Sequence, residues 1–334
     1  MIQLEENKSI ENLTTIGVKG TTYRYCKIEK TSNLISILKS NSLPIKVLGG
    51  GSNILWTKKF NGLTIHINTK GISVEKETNS HVIVNINAGE NWHEFVIWSI
   101  RNNYGGVENL ALIPGNIGAA PIQNIGAYGV EFKDVFVECS AINIKTLKSK
   151  VFSVEECEFG YRDSIFKNQE KNNYIITSVK IKLSKKGHHK FATKYGDIEK
   201  IVKKNSLSPS KIAKAVIEIR TSKLPDPKQI GNCGSFFKNP IIDEVLFEVL
   251  LKKYPEIPNY PSKNKYKIPA AWLIEKLNYK GYRDGDAGVH KDQALILVNY
   301  GNSSGLEIFN LSKKIRKEVL DVFEINLTPE VNIW

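Results

Sequence analysis

Two stretches of this chain gather small residues where a ligand would need backbone to come close. The first, Gly49-Gly50-Gly51-Ser52-Asn53, follows the apolar positions Ile45, Val47 and Leu48. The second covers 114–129, where Pro114, Gly115, Asn116, Ile117 and Gly118 are followed by Asn124, Gly126, Ala127 and Tyr128. Glycine lacks a Cβ and tolerates φ > 0, so Gly115, Gly118 and Gly126 can turn backbone N–H groups into one concavity for an anion, a pyrophosphate first of all. Neither stretch is the G-x-G-x-x-G fingerprint opening a helix, and no Gly-Lys-Ser/Thr follows to make a triphosphate-binding loop. Taken singly, each is also what a turn between strands looks like.

Three further positions carry side-chain chemistry. Arg162, in Gly160-Tyr161-Arg162-Asp163-Ser164, offers a planar fork that suits a carboxylate, with aromatic neighbours to desolvate it. A surface network with Asp163 is the competing use. Ser235 stands in Gly234-Ser235-Phe236-Phe237-Lys238-Asn239-Pro240, without a G-x-S-x-G elbow or a nearby histidine, so a hydrolase nucleophile is not indicated. A serine hydroxyl can give up a proton when neighbouring charge stabilises its conjugate base, or it can simply bond turn backbone. Glu330 follows Pro329 in a strand-like run, where an edge strand with a solvent-facing carboxylate is the plainer alternative. Cys233 reads as a small buried filler and His290 as a loop histidine.

The elements that must position these groups follow from periodicity. Helix is expected over 34–39, strands over 45–48, 63–67 and 82–87, and a helix from Trp92 that puts aromatic residues in a core. Strands over 135–141, 150–154 and 174–183 imply an antiparallel or mixed sheet. Residues 185–210 form a polar, lysine-rich insertion with a short helix, ahead of a helix over 211–221. Ser222-Lys223-Leu224-Pro225-Asp226-Pro227 breaks that helix and marks a domain boundary. Helices over 242–254, 270–277 and 305–323 and a strand over 293–298 complete an α+β C-terminal part.

A chain of 334 residues has room for two or three domains, and 41% apolar with 24% charged residues is ordinary for a globular protein. The formal charge of +13 comes from scattered lysines and only six arginines, which describes a solvated surface that steers small anions more than a nucleic-acid platform. Four separated cysteines form no C-x-x-C pair, so neither a metal site nor a disulfide framework is expected. The start of the chain lacks the pattern of a signal peptide, and no apolar run reaches the ~18 residues of a membrane helix. A cytoplasmic protein is expected.

The motifs occur together and in order, and the set resembles the UDP-N-acetylenolpyruvoylglucosamine reductase family over about residues 13–333. The resemblance implies an α+β architecture: a vanillyl-alcohol-oxidase/PCMH-type FAD-binding fold followed by a C-terminal α+β substrate domain. Its parts would be 1–70, to which the strand 325–334 can return, then 71–224 with the insertion, then 225–324. FAD would be bound without a covalent link, with residues 49–53 and 114–128 around its pyrophosphate and flavin. NADPH would be the reductant and UDP-N-acetylenolpyruvoylglucosamine the substrate. By the same resemblance Ser235 would protonate the substrate, Arg162 and Glu330 would bind and polarise its carboxylate, Tyr195 in the insertion would close over its diphosphate, and Lys223 and Asn239 would touch it. The family's usual Asn-Thr-Phe reads Thr14-Thr15-Ile16 here. A monomer without metal or nucleic acid is expected. A flavin oxidase of the same fold acting on an alcohol, and a basic nucleic-acid binder, are the competing readings.

Overall fold

The computed structural model describes residues 2–194, 197–202 and 207–334. The chain divides into two units, one of Met1–Lys8, Thr22–Gly50 and Asn61–Ser222, the other of Ser9–Thr21, Gly51–Phe60 and Lys223–Trp334.

In the first unit a four-stranded sheet runs in the order Leu4–Ser9, Thr21–Ile28, Phe60–Ile67, Ile45–Leu48. The last two strands are parallel, with Ile45 opposite Leu63 and Leu48 opposite His66. Helix Thr31–Ser40 buries Leu34, Ile37 and Leu38, an i, i+3, i+4 stripe, against Cys26, Ile28, Leu63 and Ile65. Leu4–Ser9 was not expected as a strand because it is largely polar; at the sheet edge it pairs on one side only and needs no continuous apolar face.

A second, wholly antiparallel sheet of this unit runs Ser149–Ser153, Phe136–Asn143, Tyr174–Ser184, His81–Asn87, Ile72–Glu77. Val82, Val84 and Ile86 alternate inward along one strand. They meet Trp92, Phe95 and Val96 of helix Trp92–Arg101, which starts where the Asn91 side chain accepts from Glu94 N–H. Helix Pro209–Lys223 extends beyond the expected 211–221 at both ends and adds Ile212, Ala213, Val216 and Ile219 to this core. Within the insertion, Ile198 and Val202 are buried in the same core and Phe191 and Leu207 pack on it, so the segment is held down by apolar contact.

The second unit contains the antiparallel sheet Gly231–Ser235, Ile296–Asn299, Ala287–Val289, Arg283–Asp284. Helix Glu244–Lys253 begins later than the expected 242 because Ile241–Asp243 is a strand and Asp243 caps the helix by accepting from Leu246 N–H. The expected strand 293–298 is Ile296–Asn299. Asn332–Ile333 pairs in parallel with Ile54–Leu55. Among the described residues no helix is long and apolar enough to cross a membrane.

Helix Gly305–Phe323 opens on a reciprocal capping box between Ser304 and Glu307. A Cβ on Gly305 would lie 1.8 Å from Trp56 O, a backbone atom. Alanine is favoured over glycine in a helix by about 1 kcal/mol, whereas forcing atoms into a filled site costs about 1–3 kcal/mol or more. The clash should win: Gly305→Ala lowers the urea midpoint, and an unchanged or raised midpoint would show that the backbone yields there.

Candidate functional site

Gly50, just beyond the strand Ile45–Leu48, lies with its main chain against that of Gly115. A Cβ on Gly50 would stand 2.8 Å from Gly115 Cα and 2.9 Å from Asn116 Oδ1. Gly49 makes no such demand, since its nearest neighbour would be Asn116 Cβ at 3.7 Å. Gly51 takes φ +65, and a Cβ there would fall 2.0 Å from Leu13 O. Thr15 N–H donates to Gly51 O at 3.1 Å, so the Thr14-Thr15-Ile16 segment backs this turn. Thr14 buries its hydroxyl with no hydrogen-bond partner among the described residues. Among the described residues the backbone N–H groups of Gly50, Gly51 and Ser52 meet no protein acceptor.

The 114–128 loop uses its small residues differently from the expected common concavity. Gly118 N–H donates to Ala88 O and Ile117 N–H to Glu90 O, each at 2.9 Å, and a Cβ on Gly118 would meet Ala88 Cβ at 2.7 Å. Gly118 is therefore a packing glycine whose N–H is already engaged. Gly115 at φ +117 passes its carbonyl to Trp92 N–H at 3.0 Å, fixing the loop to the start of a core helix. The Asn124 side chain is buried and saturated: Oδ1 accepts from Lys133 N–H at 3.0 Å, and Nδ2 donates to Gly160 O at 2.9 Å and Glu131 Oε2 at 3.2 Å. Ala127 pairs with Val130, and Tyr128 follows at φ +50.

Gly126 makes room for Arg162. Its missing Cβ would sit 2.8 Å from Arg162 Nη1; Nη2 donates to Gly126 O and Nη1 to Asn124 O at 3.4 Å. Arg162 itself takes φ +53, in a turn closed by the Gly160–Asp163 bridge and tied down by Ser164 Oγ donating to Ile122 O at 2.6 Å. The guanidinium is thus held in place by carbonyls.

Arg220 belongs with this group and was missed in the sequence. Its Nε is buried with no hydrogen-bond partner. Burial holds its pKa below the usual arginine range; the neighbouring Tyr128 opposes that shift and the Arg162 charge adds to it. A signal existed: Arg220 stands four residues after Val216 on a helix whose inner stripe includes Ile212, Val216 and Ile219, so helical spacing places a cation beside an apolar face.

In the second unit Ser235 ends the strand Gly231–Ser235 after a bulge, with Gly234 at φ +72 and its N–H donated to Asn232 Oδ1 at 3.0 Å. Ser235 is exposed, while Phe236 and Phe237 behind it are fully buried. Glu330 N–H donates to Phe236 O at 2.8 Å, and Phe237 bridges Pro329, so Ser235 and Glu330 lie on segments tied side by side. Asn53 Nδ2 donates to Glu330 O at 3.2 Å and Asn53 O accepts from Asn332 N–H at 3.1 Å, which makes Asn53 a brace for the Glu330 segment. Thr15 and Asn232 exchange bonds as well: Thr15 Oγ1 donates to Asn232 O at 2.7 Å and Asn232 N–H to Thr15 O at 3.1 Å. Asn239 Oδ1 accepts from Ala270 N–H at 2.9 Å. Lys223 is exposed at its helix end, and Tyr195 lies outside the described residues.

Backbone donors with no protein acceptor among the described residues, together with guanidinium groups, suit an oxygen-rich anion, which a dinucleotide cofactor is. Gly50, closed to any side chain, and Arg220, whose buried Nε has no acceptor among the described residues, both fit such a ligand. Among the described residues no group of three or more His, Cys, Asp or Glu could hold a metal ion.

Comparison with known proteins agrees with that chemistry. Residues 226–334 match the family model for the UDP-N-acetylenolpyruvoylglucosamine reductase C-terminal domain, and residues 25–145 match an FAD binding domain. The UDP-N-acetylenolpyruvoylglucosamine reductase of Flavobacterium johnsoniae is 51% identical over 337 residues, covering 99% of this chain and 100% of that protein. The same enzyme of Amoebophilus asiaticus is 46% identical over 339 residues, covering 99% of each. The crystal structure of UDP-N-acetylenolpyruvylglucosamine reductase from Thermus caldophilus superposes with a TM-score of 0.70 over 100% of this chain and 99% of that one; at 21% identity it shows the fold. The architecture is the expected FAD-binding α+β fold with a C-terminal α+β domain.

Cys233, close in sequence to Ser235, is no competing nucleophile. Burial pushes its pKa up to about 12, so the thiol stays protonated at neutral pH. All four cysteines are buried and free. Native protein at pH 8 should therefore leave a disulfide dye such as Ellman's reagent unreacted, and all 4 thiols should titrate on unfolding. A fast-reacting thiol in the native state would contradict this.

Proposed function

This chain belongs to the UDP-N-acetylenolpyruvoylglucosamine reductase family, and from that premise we propose how its residues divide the family's reaction. The protein reduces UDP-N-acetylglucosamine enolpyruvate to UDP-N-acetylmuramate in peptidoglycan precursor synthesis, with FAD as cofactor and NADPH as electron source. The observation that carries this is likeness over the whole chain, 51% identity across 99% of it. FAD, when bound, would supply the two-electron chemistry that links oxidation of NADPH to reduction of the enolpyruvyl double bond.

The chain's own residues do the rest. The N–H groups of Gly50, Gly51 and Ser52 would hold diphosphate oxygens, and the 114–128 loop would flank the flavin. Arg220 would give its guanidinium to an acceptor on the bound ligand. Arg162, fixed by the Gly126 and Asn124 carbonyls, would bind the enolpyruvyl carboxylate with Glu330 and polarise it. Fixed charge of this kind lowers the barrier where negative charge develops on substrate. The Ser235 hydroxyl would then deliver its proton to the carbon bearing that carboxylate. Lys223, Asn239 and Tyr195 would contact the UDP-sugar. A cytoplasmic monomer completes the proposal.

Two variants separate these roles. General acid catalysis is worth about 10²–10⁴-fold, so Ser235→Ala should lose that much in turnover of the enolpyruvyl substrate while NADPH still reduces its flavin at the wild-type rate. Full turnover would remove Ser235 as proton donor. Gly50→Ala, which drives a Cβ to 2.8 Å from Gly115 Cα, should purify with little FAD although it folds. Wild-type FAD content in that variant would contradict the cradle.

A further inference from the structure

The buried side chain of Asn109 has no part in the roles assigned above. It lies in the short turn Glu108–Leu110 and is 2% exposed. A carboxamide nitrogen carries two hydrogens. Asn109 Nδ2 donates to Tyr128 O at 3.0 Å and to Ala192 O at 2.7 Å, so both are engaged. Tyr128 ends the 114–128 loop, and Ala192 lies in the 185–210 insertion.

Each partner is constrained on its other side. Tyr128 at φ +50 is followed by Gly129 at φ +80. Left-handed backbone costs a bulky residue roughly 1–2 kcal/mol, so it persists only where the surroundings impose it. On the insertion side, Ser184 and Gly105 exchange backbone hydrogen bonds of 2.9 Å, and Ser184 Oγ meets His189 Nδ1 at 2.9 Å. A Cβ on Gly105 would lie 2.7 Å from His189 Nδ1, so the clasp needs glycine there. Phe191, next to Ala192, packs on the core. Residues 184–192 are thereby registered on 105–109, and Asn109 carries that register to the Tyr128 backbone.

We propose that Asn109 is a positioning residue that couples the 184–194 segment to the Tyr128 end of the 114–128 loop, so that filling the cofactor site restrains the segment. The coupling rests on the reading that this loop flanks FAD. The amide fits because one nitrogen must serve two carbonyls. Leucine keeps the volume and leaves both carbonyls without the donor, while aspartate keeps the shape and sets an acceptor against two acceptors.

Lys190 and Lys194 are exposed, and trypsin cuts after lysine, so proteolysis reports opening of the segment. The experiment compares initial cleavage rates at these two sites with and without bound FAD, in the wild type, Asn109→Leu and Asn109→Asp. FAD should slow wild-type cleavage about fivefold or more, the lower end of ordinary coupling between sites. Both variants should retain FAD, seen in visible absorption, and lose that protection. A purely structural tie would lower the thermal midpoint and leave the protection ratio unchanged. A yellow variant with the wild-type ratio overturns the coupling, as does a yellow wild type cut equally fast with and without FAD, an arm that needs no variant to fold. A wild type that takes up no FAD contradicts the cofactor reading instead.

Discussion

The main chain of Gly50 rests on the main chain of Gly115, with less room between them than one carbon needs. That contact holds the turn after a parallel strand against a loop that the core fixes from behind. Gly115 passes its carbonyl to Trp92 N–H, and Trp92 is buried edge-on to Phe132 with ring centroids 5.8 Å apart. The position of the Gly50 backbone thus depends on aromatic packing behind the facing loop. Any side chain at Gly50 would separate the two loops before it touched a ligand.

The second dependence is electrostatic. Arg162 is fixed by carbonyl groups, and Arg220 keeps its Nε away from both water and protein acceptors. A buried donor such as Arg220 Nε, with no hydrogen-bond partner among the described residues, is costly, and it persists where a ligand completes the site. The same logic explains why Gly126 is glycine: the guanidinium of Arg162 occupies the volume a side chain would need. In the other unit the bonds from Glu330 N–H to Phe236 O and from Asn53 Nδ2 to Glu330 O set the Glu330 segment beside the end of the Ser235 strand, so those two groups share one scaffold.

Much of this was legible in the residues. Helix Gly305–Phe323 falls where Ser304 and Glu307 announce a capping box ahead of an apolar stripe, and strand Ile45–Leu48 ends where three glycines begin. The five motifs named Arg162, Ser235 and Glu330 only as a set, because each alone has an ordinary structural use. What stayed hidden depends on long-range neighbours. The polar strand Leu4–Ser9 is defined by its pairing, and the bonds that tie Gly118 to Ala88 and Asn124 to Lys133 and Gly160 join residues far apart in sequence. Arg220 could be placed on a helix face from spacing, yet only the packed structure shows that its Nε lacks an acceptor.

The most direct test of the account is an anaerobic redox titration followed by the visible absorption of the protein as purified. The protein should be yellow, with absorption that NADPH bleaches and UDP-N-acetylenolpyruvoylglucosamine restores without oxygen. A colourless protein, or a reduced flavin that oxygen reoxidises and the enolpyruvyl sugar does not, would contradict it.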